Sequence, residues 1–190
     1  MENTLTLPTE VLMAGFGGQG MLLAGKILAH AAMAEGLQVS WLPSYGPEMR
    51  GGTANVTVCI SDKPIGSPLI TNPRALLVMN LPSLEKFAPK VRPGGVIVIN
   101  TALVQKEADR DDCAVVKINA RDVAAEAGTD RAANFVMLGA YVGATGAVKP
   151  ESVETEIGNE FQGRKAKFVP ANVAAFHAGY EAGQKAQVTA

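Results

Sequence analysis

The six residues Gly15-Phe16-Gly17-Gly18-Gln19-Gly20 constrain this chain more than any other feature. Before them lies a short apolar segment, residues 10–16 (EVLMAGF), with the length and composition of a buried strand. After them, residues 21–34 are rich in Ala, Leu and Met, which favour helix. The spacing fits G-x-G-x-x-G in the strand–turn–helix setting that gives the pattern its mechanism. Glycines let backbone amides approach a phosphate, and a helix start adds unpaired N–H groups and the positive end of a dipole. The six residues are therefore a candidate phosphate or diphosphate cradle. The competing reading is a tight strand-to-helix turn that holds nothing.

The alternation of strand and helix continues along the chain. Residues 38–42 (QVSWL), 54–60 (ANVTVCI), 75–80 (ALLVMN), 96–100 (VIVIN) and 113–118 (CAVVKI) read as strands. Gly36 ends the first helix. A short helix and a turn are expected between residues 81 and 95, and another helix near residues 120–127. Residues 134–147, 151–161 and 171–185 are expected to be helical. In the first of these, Gly139 and Gly143 share a face, where another backbone can come close. The pattern predicts an α/β fold, a three-layer Rossmann-like domain with a mostly parallel sheet, as a single domain over residues 1–190. Aromatic residues make up only 5%, so aliphatic side chains and methionine must fill the core.

Charge and composition remove several functions. The net charge is −1 and Lys and Arg form no cluster, so the electrostatic footprint of a nucleic-acid binder is missing. The most apolar stretch, residues 21–33, is interrupted by Lys26 and His30 and is too short to cross a bilayer. Residues 1–10 are polar and carry no signal-peptide pattern, which predicts a cytoplasmic protein without a membrane partner. Cys59 and Cys113 stand far apart in apolar runs with no C-x-x-C, so buried thiols are expected and no metal site is assigned. His30 shares a helical stripe with Lys26, and His177 precedes Glu181 by four residues. Both are expected to be solvated helix residues. No Ser-His-Asp order or carboxylate pair stands out, and no catalytic residue is assigned.

A dinucleotide site would need an acidic residue near the end of the second strand to hold the ribose hydroxyls. This chain has Trp41-Leu42-Pro43-Ser44-Tyr45 there, and no Asp or Glu until Glu48. The departure favours a different phosphate ligand. Residues 43–52 are too rich in Pro and Gly for regular structure and are expected to form a loop. In a parallel sheet that loop lies at the carboxyl edge beside the glycine turn, where α/β proteins bind ligands. Arg50 is a planar donor suited to phosphate, and Tyr45 can stack or hydrogen-bond. The alternative is that Glu48 and Arg50 pair with each other or with a partner chain.

The segments EVLMAGFGGQGMLLAGKILAHAA and SYGPEMRGGTANVTVCISD, at this spacing, resemble the gamma subunit of 2-oxoacid:ferredoxin oxidoreductases. The likeness extends to ALLVMNLPSLEKF and RPGGVIVINTALV, with a weaker echo in NFVMLGAYVGATG and NVAAFHAGYEAG. It implies a subunit, inactive alone, of a complex that converts a 2-oxoacid to an acyl-coenzyme A and passes electrons to ferredoxin. The first expectation for the substrate is 2-oxoglutarate, ahead of pyruvate, branched-chain 2-oxoacids and indolepyruvate. Alpha and beta subunits are the implied partners, with delta a further candidate. Thiamine diphosphate, magnesium and 4Fe–4S clusters are implied for those partners, in keeping with the lack of a Gly-Asp-Gly motif and of clustered cysteines here. Coenzyme A is implied at this chain. The binding role carries over to Gly15, Gly17, Gly18, Gln19 and Gly20. It carries over also to Ser44, Tyr45, Gly46, Glu48, Met49, Arg50, Gly51 and Gly52, for which partner subunits or the thiamine site are the alternative contact. The small-residue helix at 134–147 and the loop at 45–52 are the expected surfaces for partners. Two readings from other classes stand beside this one: a stand-alone nucleotide-dependent oxidoreductase, and a structural spacer subunit with an empty turn.

Overall fold

A computed structural model of the chain describes residues 9–46 and 52–186. Its six-stranded sheet has the order β2-β3-β1-β4-β5-β6, with β1 at Thr9–Phe16, β2 at Gln38–Tyr45, β3 at Thr53–Ser61, β4 at Ala75–Val78, β5 at Val96–Asn100 and β6 at Ala114–Ile118. The ladders from β1 through β4 and β5 to β6 are parallel. These central strands are buried on both faces and read as continuous apolar runs, such as VIVIN, for that reason.

The other half of the sheet departs from the expected winding. β3 is antiparallel to both β1 and β2, and it lies between them. Five of the six strands thus share one direction, and β3 alone opposes it. The second strand also runs three residues further than expected, through Pro43, Ser44 and Tyr45. β2 is the edge of the sheet, and an edge tolerates a proline that a central strand would not.

Helices cover the two faces unequally. α1 (Met21–Ala34), α3 (Ala120–Glu126), α4 (Ala133–Thr145), α5 (Pro150–Glu160) and α6 (Val169–Lys185) contribute to the main core, built on Val11, Met13, Val56, Val58, Leu77 and Val98. The opposite face carries a smaller core, in which Leu12, Leu76, Val78, Ile97 and Ile99 lie beneath Leu84 of α2 (Leu81–Phe87) and the 3-10 turn that follows it. α2 is held at its start by Asn80, whose side chain accepts a hydrogen bond from the Ser83 N–H at 2.8 Å.

α4 and α6 meet through glycine on both sides. A Cβ on Gly139 would lie 2.0 Å from the Phe176 carbonyl oxygen, and one on Gly143 2.1 Å from that of Tyr180. The same holds in reverse for Gly179 against Val136 and Gly183 against Ala140. The close approach expected at Gly139 and Gly143 is therefore present, with α6 as the approaching backbone. This corrects the expectation that the helix faces a partner subunit: α4 is buried along nearly its whole length by its own chain.

Two further expectations shift. The stripe of α1 bearing Lys26 and His30 receives α5: Lys26 pairs with Glu160 at 2.7 Å and His30 lies 3.5 Å from Glu156. His177 of α6 pairs with Glu154 of α5 at 2.8 Å, not with Glu181. Cys59 is buried, while Cys113 is only half-buried. Three strands lie between β3, which carries Cys59, and β6, which Cys113 precedes. Burial pushes both thiols above the ordinary cysteine range.

Candidate functional site

The strand order brings the sequence motifs to one edge. β1 and β2 point the same way, and across β3 the pairs Gly15–Ala54 and Tyr45–Ala54 bring their carboxyl ends level. The glycine turn after β1 is tied to the start of β3 by the Gly17 N–H, which donates to the Gly52 carbonyl at 2.9 Å. Ser44, Tyr45 and Gly46 reach this edge exposed to solvent, Tyr45 at 57%. Glu48, Met49, Arg50 and Gly51 lie outside the described residues. Because β3 occupies the place beside β1, the strand flanking the turn is not the one a dinucleotide βαβ unit supplies.

Within the turn, each residue has a distinct mechanical part. Gln19 folds back inside it: Oε1 accepts from the Phe16 N–H at 2.6 Å and Nε2 donates to the Met79 carbonyl at 3.1 Å. Gly15 leaves room for that carboxamide, since a Cβ would sit 2.5 Å from Oε1. Gly18 and Gly20 have φ of 97° and 79°, the left-handed region that glycine enters without strain. Gly20 also admits Asn134, whose Nδ2 would lie 2.8 Å from a Cβ there and donates to the Gly20 carbonyl at 3.3 Å. No side chain caps α1; its first hydrogen bond runs from the Ala24 N–H to the Gly20 carbonyl. The earlier amides of the turn are the orphan donors of any helix start.

These amides open onto a cavity of about 280 Å³. Gly18, Gln19 and Gly20 form one wall, with Leu23 below them. Asn134 and Phe135, from the first turn of α4, form a second, and Phe168 and Asn172, from the start of α6, a third. Thr129 and Arg131 complete the rim, with the Thr129 hydroxyl accepting from the Arg131 N–H at 3.3 Å. Phe161, which ends α5, packs edge-on against Phe135 with ring centroids 5.9 Å apart. Three helix N-termini thus face one cavity against a single C-terminus. Their dipoles sum to a field that favours an anion. Arg131 is exposed and makes no ion pair among the described residues, so its charge adds to that field.

The structure brings the glycine residues to the cavity and leaves the second motif out of its walls: Ser44, Tyr45, Gly46 and Gly52 are not among the lining residues. Sequence reading missed Thr129, Arg131, Asn134, Phe161, Phe168 and Asn172. They come from four separate segments with no shared spacing, and only the 3-10 and helix starts near residues 130 and 169 hinted at a common end. Among the described residues no group of three His, Cys, Asp or Glu side chains is placed to hold a metal ion. No helix among them is long and apolar enough to cross a membrane.

Comparison with known proteins gives this architecture its lineage. The family model described as pyruvate ferredoxin/flavodoxin oxidoreductase matches residues 10–182. The chain is 41% identical over 178 residues to the ketoisovalerate oxidoreductase subunit VorA of Methanothermobacter marburgensis, covering 93% of this chain and 37% of that one. It therefore spans little more than a third of that relative's length. It is 36% identical over 176 residues to the 2-oxoglutarate synthase subunit KorC of Methanocaldococcus jannaschii, covering 90% of this chain and 92% of that one. The crystal structure of the gamma subunit of a keto/oxoacid ferredoxin oxidoreductase from Geobacter sulfurreducens superposes with a TM-score of 0.80 at 33% identity, over 93% of this chain and 99% of that one. The glycine turn, the sheet that carries it and the sequence around both accordingly make this chain a member of the pyruvate ferredoxin/flavodoxin oxidoreductase family.

Proposed function

We propose that this chain is the gamma-type subunit of a cytoplasmic 2-oxoacid:ferredoxin oxidoreductase, that it binds coenzyme A at the start of α1, and that the complex acts on 2-oxoglutarate. One observation carries the reading: a side-chain-free helix start opens on an anion-favouring cavity, in a chain nearly collinear with a 2-oxoglutarate synthase subunit. The exposed edge strand β2, with Trp41 at 40%, Leu42 at 36% and Tyr45 beyond them, supports docking of alpha and beta subunits there.

The groups such a complex needs divide between its subunits. The cradle of Gly18 and Gly20 amides with Arg131 suits the phosphates of coenzyme A, which when bound supplies the thiol that receives the acyl group. Thiamine diphosphate, magnesium and 4Fe–4S clusters fit this chain poorly. Its two cysteines are too few for a four-thiolate cluster, and they lie apart in the fold. Those groups fall to the partner subunits. This chain's own work is to bind and orient the coenzyme, a proximity effect that needs no proton-transfer residue here.

A branched-chain 2-oxoacid is the second reading, favoured by the higher identity to the ketoisovalerate subunit. The experiment is to isolate the chain with its natural partners and assay coenzyme A-dependent viologen reduction with 2-oxoglutarate, 3-methyl-2-oxobutanoate, pyruvate and indolepyruvate. Turnover fastest with 2-oxoglutarate is expected. A preference for 3-methyl-2-oxobutanoate selects the second reading, and turnover by the chain without partners refutes the subunit assignment.

A further inference from the structure

We infer that the cavity at the start of α1 seats the nucleotide end of the coenzyme, a phosphorylated adenosine, and that Arg131 and Asn172 recognise it. The inference rests on the coenzyme A reading above and goes beyond it, because the glycine turn by itself says only that a phosphate is held and not which end of the ligand enters.

Size comes first. At about 280 Å³ the cavity falls just below the range of ~300–1,000 Å³ for whole small-molecule sites. It suits one end of a coenzyme, with the remainder lying outside. The choice of end follows from the walls. Asn172 is only 5% exposed, lines the cavity, and has no side-chain hydrogen bond among the described residues. A buried carboxamide left in that state is costly, and a ligand that pairs with it recovers the loss. Asparagine offers an acceptor and a donor side by side, which is the complement of the amino group and adjacent ring nitrogen of adenine. Phe161 and Phe168 supply aromatic surface for a planar ring. The pantetheine arm has no ring to use that surface.

The phosphates then have their own counterpart on the same cavity. The Gly18 and Gly20 backbone and the three helix starts favour negative charge, and the fork of Arg131 can grip phosphate oxygens at the rim. An apolar floor with a buried amide reader at one side and a positive rim at the other is the layout an adenine nucleotide requires. The thiol end has neither the charge nor the ring.

The test uses the purified full chain and isothermal titration with coenzyme A, adenosine 3′,5′-bisphosphate and 4′-phosphopantetheine. Wild type is expected to bind the first two and to bind phosphopantetheine at least about tenfold more weakly. Arg131→Gln, at an exposed position, is expected to weaken the first two about tenfold. Asn172→Leu removes the carboxamide at similar volume; it should weaken both ligands at least about fivefold while leaving the unfolding midpoint unchanged or raised. Coenzyme A binding that is undiminished in both variants overturns the cavity assignment and leaves the coenzyme A reading standing. Phosphopantetheine binding as tightly as coenzyme A, with no binding of the bisphosphate, overturns the choice of end. Bisphosphate binding without coenzyme A binding keeps a nucleotide site and removes the coenzyme A reading. No heat with any of the three removes both.

Discussion

Replacing Gly139 by alanine puts a methyl group where α6 already runs. The new Cβ would lie 2.0 Å from the Phe176 carbonyl oxygen and 2.8 Å from the Tyr180 nitrogen. Ordinary contact begins near 3.4 Å, so the first distance is short by well over an ångström. Both neighbours are backbone, and no rotamer change relieves them. α6 must back away as a unit, loosening fully buried Phe176 and Ala175. Overpacking of this kind costs about 1–3 kcal/mol, with a rigid backbone neighbour at the upper end. Alanine returns at most about 1 kcal/mol through helix propensity. The expected net loss is about 2 kcal/mol, or roughly 4–8 °C in Tm for a chain of this size. Gly158 in α5 is the control, since nothing lies within 4 Å of its Cβ position. Gly158→Ala should therefore be neutral or stabilising by up to about 1 kcal/mol. The assay is urea unfolding of both variants followed by circular dichroism, reading the midpoint at unchanged m. A retreat of α6 that accommodates Gly139→Ala also makes room at Gly179, so the double variant should lose less than the sum of the singles. If Gly139→Ala is as stable as Gly158→Ala, the helices do not meet through these glycines and the packing argument fails.

Three other outcomes follow from single features. Gln19→Ala strips the Phe16 N–H and the Met79 carbonyl of their partners and should cost about 1–3 kcal/mol in chemical denaturation; an unchanged midpoint would mean the turn does not depend on this brace. Burial pushes the Tyr141 phenol up to about 12, with the Thr9 and Thr145 hydroxyls pulling the other way, so the unfolded chain ionises first, near pH 10. Stability should be unaffected by this group below pH 10 and fall by up to about 1.4 kcal/mol per pH unit between 10 and 12, a decline that Tyr141→Phe should remove. Trp41→Glu combined with Leu42→Glu changes exposed side chains of the edge strand, so the lone chain should keep its unfolding midpoint while its recovery with partner subunits drops; undiminished co-purification would place the interface elsewhere.

Much of the fold could be read from local pattern. The turn from residue 15 to 20 declares itself because glycine spacing, an apolar run before it and helix formers after it are all local signals, and the first strand and helix lie where those signals put them. The buried central strands are equally plain, because burial on both faces requires unbroken apolar runs. Strand direction is another matter. Residues 54–60 alternate like any half-buried strand, and alternation is the same whether the neighbour runs parallel or antiparallel. The placement of β3 between β1 and β2 is a choice of pairing partners, and that choice is made by long-range ladders.

The site divides in the same way. The cradle is contiguous in the chain, so its chemistry was visible in the sequence alone. Its opposite walls are contributed by Arg131, Phe161, Phe168 and Asn172, which come from different segments and meet only when α4, α5 and α6 fold over the sheet. Asn172 stands in the sequence as one more polar residue near a helix start, and packing is what buries it without a partner and turns it toward the cavity. The glycines of α4 show the limit of local reading most directly: their spacing said that a backbone would come close, and only the tertiary structure decided that the backbone is α6 of the same chain, because a face stripped of side chains accepts whichever helix the core presses against it.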